Sequence, residues 1–135
     1  MPQDLIFAPM AAMALLTFIV LGFVPARRFR AAFARQVTAE DFRFGESPAV
    51  PGHVSIPNRN YMNLLELPVL FYVAGLMYYV AGRLDQAALV TAWLYVALRA
   101  AHSVIHLTYN NVFHRLTAFA LSNLVLLVFW VLFFV

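Results

Sequence analysis

Four long apolar runs dominate the chain, at residues 5–24, 62–82, 87–108 and 116–135. Each run is continuous rather than alternating, and each is close to the roughly 20 residues with which a helix crosses the hydrocarbon core of a bilayer. Because only helices and closed barrels satisfy their backbone polar groups in lipid, continuous runs of this length predict helices. The sequence therefore predicts an all-α integral membrane protein, a single four-helix membrane domain over residues 1–135.

The connection between the first two runs, residues 25–58, is long for so small a protein. Pro25 is expected to end or bend the first helix, because proline lacks an amide donor and fixes its own φ. Residues 26–36 can continue as a short basic amphipathic helix on the membrane surface. Residues 45–58 hold three prolines and two glycines, which predicts an irregular loop. This connection either covers a site or is a solvated linker.

The arginines of the chain predict its orientation in the membrane. All nine basic residues are arginines, and five of them lie in the first connection. Another, Arg115, stands at the start of the fourth run, whereas the second connection carries one arginine and one aspartate. Because arginine-rich loops stay in the cytoplasm, the first and third connections are predicted to be cytoplasmic and both termini to lie outside.

The amino-acid composition limits the kinds of site that the chain can form. The chain has no cysteine, so disulfides and thiolate metal sites are excluded and any thiol in a mechanism must come from a ligand. Only 11% of the residues are charged, and the net charge of +3 is explained by an arginine-rich loop beside a membrane, without a nucleic-acid partner.

Two stripes of polar residues lie within the second and third runs. Arg59, Asn63 and Glu66 are spaced i, i+4, i+7 and fall within roughly 60° of one another on a helix. A second stripe, within about 80° on the next helix, consists of Tyr95, Arg99, His102, His106 and Asn110. At membrane depth such residues must be paired or must face a cavity. Because the two helices are antiparallel neighbours, we expect the stripes to face each other or a shared cleft.

The residues themselves leave two interpretations open. The stripes can hold helices together, with Glu66 neutralised by Arg99. Alternatively, the surplus of arginine in a sheltered site indicates an anionic ligand, which arginine grips through paired hydrogen bonds. A metal is not predicted: His102 and His106 are four residues apart but lack the glutamate of His-Glu-x-x-His, and only Glu66 or His114 could be a third ligand.

The order of these residues resembles that of the MAPEG family, the membrane-associated proteins in eicosanoid and glutathione metabolism. The residues that carry the resemblance are Arg59-x-x-x-Asn63-x-x-Glu66 followed by Pro68, Arg99-x-x-His102, Arg115 at the start of the fourth run, and Arg27-Arg28 at the end of the first. Two sequence segments are similar to those of the bacterial branch, namely NYMNLLELPVLFYV and LRAAHSVIHLTYNNVFHR. The resemblance covers nearly the whole chain.

The resemblance implies a homotrimer with a glutathione site at each subunit interface, open to the cytoplasm. It implies a binding set for glutathione of Arg59, Asn63, Glu66, Arg99 and His102, with Arg27 or Arg28 contributed by the neighbouring subunit. The catalytic set would be Arg115, His106 and His102, in which Arg115 stabilises the glutathione thiolate. Some eicosanoid-synthesising members have a tyrosine at the position of His106. The absence of that tyrosine here argues against eicosanoid synthesis as the function of this chain.

The activity that follows is that of a glutathione-dependent transferase or peroxidase. It would act on apolar electrophiles or lipid hydroperoxides dissolved in the lipid bilayer, and the resemblance favours a bacterial inner membrane as its location. Two alternatives stay open at this point. One is a non-enzymatic MAPEG-like protein that binds a lipid or a partner protein, and the other is a small proton-relay or transport subunit in which Glu66 and the histidines titrate.

Overall fold

The computed structural model describes residues 1–135 and is all-helical. Its five α-helices are α1 (Phe7–Phe33), α2 (Gly52–Leu64), α3 (Pro68–Ala81), α4 (Gln86–Leu107) and α5 (Val112–Phe134). Four stretches are long and apolar enough to cross a membrane, namely Gln3–Phe33, Gly52–Ala81, Gln86–Leu107 and Val112–Phe134. The prediction of an all-α protein with four membrane-spanning helices is confirmed.

The first helix does not end at Pro25, and the helical continuation predicted for residues 26–36 is present as far as Phe33. It continues for eight residues beyond the proline, to Phe33, as one element of 27 residues. These eight residues are alanine, arginine and phenylalanine only, and alanine and arginine are among the best helix formers. The helix propensity of these residues, together with the packing of α1 against α2, stabilises the helix beyond Pro25 although that proline has no amide.

The predicted irregular loop at 45–58 is also wrong in its second half, because α2 begins at Gly52 and contains Pro57. Pro57 has no amide to donate to the carbonyl four residues earlier, which belongs to His53. That carbonyl instead accepts a 2.9 Å hydrogen bond from Nη1 of Arg27. A side chain from α1 therefore supplies the donor that proline removes, and residues 52–58 of the predicted loop are helical.

The second membrane segment, predicted as a continuous run, is broken between α2 and α3. Pro68 opens α3, and the amides of Leu65 and Glu66 bond to carbonyls only three residues earlier. The cause is Pro68 itself, since it has no N–H and its ring clashes with the carbonyl of Leu64. The break places Glu66 on a short irregular step inside the membrane segment.

Tight turns join the later helices into hairpins. Gly82 ends α3 with a positive φ of 64°, and the amide of Arg83 closes the turn on the carbonyl of Tyr78. Asp85 then caps α4 by accepting a 2.8 Å hydrogen bond from the amide of Ala88. At the other end of α4, Asn110 takes a positive φ of 47° before α5 begins.

An aromatic core holds α3, α4 and α5 together in the half of the bundle away from α2. The ring of Phe71 on α3 lies 4.8 Å from that of Tyr95 on α4 and 5.6 Å from that of Phe129 on α5. Tyr78 packs 4.8 Å from Phe129 and donates its hydroxyl to the backbone carbonyl of that residue at 2.9 Å. This apolar half leaves the polar residues gathered at the opposite end, beside α2.

Candidate functional site

A cavity of about 340 Å³ opens where α2, α4 and the start of α5 meet. It is lined by Arg59, Asn63, His102, His106, Val112, Arg115, Leu116 and Phe119. Its volume lies near the lower end of the range for small-molecule sites. Two residues of each predicted stripe, Arg59 and Asn63 from one and His102 and His106 from the other, therefore line one cleft, and α5 adds a third wall to it.

The α2 wall is fixed to α4 by a buried pair, Asn60 and Ser103. The Ser103 hydroxyl donates to the side-chain oxygen of Asn60 at 3.0 Å, and the Asn60 amide donates to the Ser103 carbonyl at 3.4 Å. Because both residues are buried, the pair sets the register of α2 against α4. The neighbouring Arg59 is exposed and lines the cavity. Its guanidinium is available to a ligand.

Arg99 lies behind the cavity wall rather than in it. Its side chain is fully buried, and Nη2 donates to the side-chain oxygen of Asn63. Its guanidinium carbon lies 5.6 Å from the ring centre of Phe119. Nε and Nη1 of Arg99 are buried without a hydrogen-bond partner. The contact with Asn63 orients that amide at the cavity edge, so Arg99 acts on the cavity through Asn63.

His102 and His106 form the α4 wall. Their ring centres are 5.8 Å apart, and the ring of His102 lies 5.7 Å from that of Phe119. The Nδ1 atoms of both rings are buried and have no hydrogen-bond partner within the chain. No group of three or more metal-ligating side chains exists in the structure. These imidazoles can hydrogen-bond a ligand in the cavity.

Arg115 enters the cavity from the first turn of α5. Its Nη1 donates to the side-chain oxygen of Asn110 at 2.8 Å. Asn110 can occupy the turn because asparagine tolerates a left-handed backbone better than most residues. Asn111 caps the same helix by accepting a 3.1 Å hydrogen bond from the amide of His114. The turn between α4 and α5 therefore positions one arginine that is always charged at the mouth of the cavity.

Glu66 does not line the cavity. It lies on the break before Pro68, is exposed in the single chain, and makes no ion pair there. The suggested neutralisation by Arg99 is not found, because Arg99 binds Asn63 instead. A carboxylate in a membrane segment that has no partner in its own chain needs one from elsewhere.

Arg27 and Arg28 are engaged elsewhere in their own chain. Arg27 donates to the carbonyls of His53 and Leu107 at 2.9 and 3.2 Å. Arg28 pairs with Glu46 at 3.2 Å. Neither residue lines the cavity described above.

Of the residues predicted for the site, the cavity brings together Arg59, Asn63, His102, His106 and Arg115. The sequence pattern does not identify Asn60 and Ser103, which fix α2 to α4, or the lining residue Phe119. It places Asn110 on the polar stripe, but the contact of Asn110 with Arg115 depends on a turn that periodicity does not describe. Asn60 follows Arg59 directly, and a helical reading points it away from the stripe, toward α4.

The chemistry of the cavity is that of an anion site. Two arginines and two histidines line it, and no carboxylate does. Because fixed cations in a sheltered cavity must be compensated, a ligand with carboxylate, phosphate or thiolate groups fits the lining. The same cavity has an apolar side, formed by Val112, Leu116 and Phe119. An anionic ligand and an apolar reactant can therefore be held next to each other there.

Comparison with known proteins gives one match. The sequence model of a family described as the MAPEG family matches residues 6–135. No curated protein and no solved structure matches the chain. The match covers all four membrane segments, except the first three residues of the first one, and every residue of the cavity.

Proposed function

Because the chain belongs to the MAPEG family, we propose that it is a glutathione-dependent transferase or peroxidase of the membrane. The observation that carries the proposal is that Arg59 and Arg115, from two different helices, line one cavity without a carboxylate. Glutathione has two carboxylates, one ammonium and one thiol, so it needs several cations and one anion. Its carboxylates fit the arginines of the cavity. Glu66 lies outside the cavity of the single chain, and its unpaired carboxylate would bind the ammonium where a neighbouring subunit extends the site.

The reacting sulfur is assigned to Arg115. A nearby cation lowers the pKa of a thiol, and the thiolate is the nucleophile. The thiol proton passes to solvent at the mouth of the cavity. The sulfur then attacks an electrophilic carbon, a sulfur–carbon bond forms, and the leaving group departs with its electron pair. With a lipid hydroperoxide, the sulfur attacks the peroxide, the alcohol leaves, and a second glutathione converts the sulfenic acid to a disulfide and water.

His102 and His106 are assigned to orientation of the sulfur. Neutral imidazole can donate one hydrogen bond and accept another, and both side chains line the cavity. Asn63, held by Arg99, is assigned to the peptide backbone of glutathione. The apolar reactant would enter from lipid along Leu116 and Phe119.

The proposed assembly is a homotrimer in the inner membrane of a bacterium, with the cavity facing the cytoplasm. Support comes from Glu66, whose exposed carboxylate in a membrane segment is best covered at a subunit interface. The arginines between α1 and α2 favour a cytoplasmic location for that end of the bundle. Native mass spectrometry that finds only monomers would exclude the trimer.

The experiment that tests the function is calorimetry of the purified protein with glutathione, followed by turnover of an apolar aryl halide and of a lipid hydroperoxide. Binding with turnover of either substrate is expected. No binding at millimolar glutathione would overturn the proposal.

A second candidate function is non-enzymatic binding. No serine, threonine or tyrosine lines the cavity, so a hydroxyl that could hydrogen-bond the thiolate is lacking. Binding of glutathione without turnover of either substrate would favour this candidate.

A further inference from the structure

The last two turns of α1 expose large apolar rings together with arginines. Phe29 is 64% exposed and Phe33 is 86% exposed. Phe29, Arg30 and Phe33 fall within about 100° of one another around the helix axis, and Arg35 is the second residue after the helix ends. We call these four residues the α1-end surface. They are absent from the cavity described above.

Both arginines of this surface lack partners within the chain. Neither Arg30 nor Arg35 makes a side-chain hydrogen bond or an ion pair within the chain. The carboxylates of the same connection are already engaged. Glu40 pairs with Arg43, Asp41 accepts from Thr38 and Ser47, and Glu46 pairs with Arg28. The surface therefore carries two uncompensated positive charges.

Arg35 occupies a backbone position that favours glycine. Its φ is 57°, and the amides of Arg35 and Gln36 close the helix end on the carbonyls of Ala32 and Ala31 at 3.0 and 2.9 Å. Glycine is the usual residue at this place in such a helix end, because a side chain strains the left-handed conformation. A strained arginine with no partner inside the chain points to a role outside it.

The length of α1 sets the depth of this surface in the membrane. A helix of 27 residues is about 40 Å long, which exceeds the hydrocarbon core by about 10 Å. Because the apolar part of α1 begins at Phe7, the excess falls on the residues after Pro25. The α1-end surface therefore lies at the depth of the lipid headgroups, on the same side of the membrane as the cavity.

We propose that the α1-end surface binds anionic phospholipid headgroups, independently of the glutathione site. Arg30 and Arg35 contact the headgroup phosphates and their negative surface charge. Phe29 and Phe33 insert among the upper acyl carbons, as apolar side chains of interfacial helices do. Charge complementarity selects anionic lipid over a zwitterionic lipid, since each arginine near an anionic surface contributes about fivefold to binding.

The lipid preference is tested by native mass spectrometry of the protein released from bilayers of equal parts phosphatidylglycerol and phosphatidylcholine with the same acyl chains. Wild type is expected to retain an excess of phosphatidylglycerol. Arg30→Gln with Arg35→Gln should lower that excess by up to about 25-fold. Replacement of both by lysine should keep it, because charge rather than geometry is required. Arg83→Gln, in the connection at the opposite membrane edge, is the matched control and should keep it as well.

The depth is tested by spin labelling, which the absence of cysteine makes simple. A label on Phe33→Cys should collide more with oxygen than with a water-soluble nickel chelate, whereas a label on Ala49→Cys in the exposed connection should do the reverse. The proposal is overturned if the glutamine double variant keeps the full phosphatidylglycerol excess. It is also overturned if the label at position 33 behaves like that at position 49, or if dipolar broadening shows that a second copy covers this surface.

Discussion

Arg27 on α1 donates a hydrogen bond to the carbonyl of His53 on α2 at 2.9 Å. That carbonyl is the one from which Pro57, four residues later, withholds an amide. The other arm of Arg27 donates to the carbonyl of Leu107, the last residue of α4, at 3.2 Å. One guanidinium therefore satisfies unpaired carbonyls of two helices beside the cavity.

This relationship predicts a coupling between positions 27 and 57. Arg27→Met should lower the free energy of unfolding by about 1–3 kcal/mol, because it leaves carbonyls without donors. In a Pro57→Ala background the new amide can serve the His53 carbonyl, so the same Arg27→Met change should cost about 1 kcal/mol less. A double-mutant cycle, measured by unfolding in mixed micelles, checks this. Additive costs would show that Arg27 does not serve that carbonyl.

The contact between Asn110 and Arg115 predicts an effect on turnover rather than on folding. Asn110→Gly removes the side chain that holds Nη1 of Arg115 but suits the φ of 47°. We expect kcat for an aryl halide to fall while the melting temperature stays nearly unchanged. Asn110→Ala removes the same contact and adds about 1–2 kcal/mol of backbone strain. Equal kcat in wild type and Asn110→Gly would show that Asn110 does not position Arg115 for turnover.

Arg59 predicts an effect on binding. Replacement by alanine should weaken glutathione binding by about 2–5 kcal/mol if the contact with a carboxylate is fully desolvated. Arg83→Ala, at the opposite membrane edge, is the control and should leave the affinity unchanged. Isothermal calorimetry of both variants makes the comparison. Equal affinities for wild type and Arg59→Ala would remove Arg59 from the site.

The sequence pattern was sufficient for the parts that depend on periodicity. The stripe positions 59 and 63 on one helix and 102 and 106 on the next do line one cavity. The all-helical class and the four membrane segments follow from length and apolar continuity alone.

The parts that sequence reasoning missed depend on contacts between distant segments. Pro25 and Pro57 are helix breakers by local rules, yet both lie inside helices. At Pro57 the reason is a distant contact, because Arg27 supplies the donor that the proline removes. Conversely, the effect of Pro68 is local, and it breaks a run that hydropathy treats as continuous. The location of Arg99 behind Asn63 likewise depends on how deeply its side chain is buried. Periodicity predicts the face of the helix on which a residue lies but not its burial.

Asp41 predicts an acid-sensitive connection outside the membrane. The amide of Thr38 and the hydroxyl of Ser47 donate to its carboxylate, which lowers the pKa of Asp41 below its usual 3.8. A lowered pKa in the folded state contributes stability that is present above 3.8 and is lost as the pH falls through the folded-state value. Hydrogen exchange at residues 38–47, corrected for the intrinsic rate, should therefore rise as the pH falls below 3.8. Asp41→Asn should show the higher exchange at every pH.

Arg115 is the residue that we propose to stabilise the glutathione thiolate. It is the cavity cation held at the α5 start, 2.8 Å from the side-chain oxygen of Asn110, and arginine stays charged at any working pH. The most direct measurement is ultraviolet titration of the thiolate band of bound glutathione in wild type, Arg115→Ala and His106→Ala. We expect Arg115→Ala to raise the pKa of the bound thiol more than His106→Ala does, with glutathione affinity changing less than turnover. If Arg115→Ala leaves that pKa unchanged while His106→Ala raises it, the histidine activates the thiol and the role proposed for Arg115 is wrong.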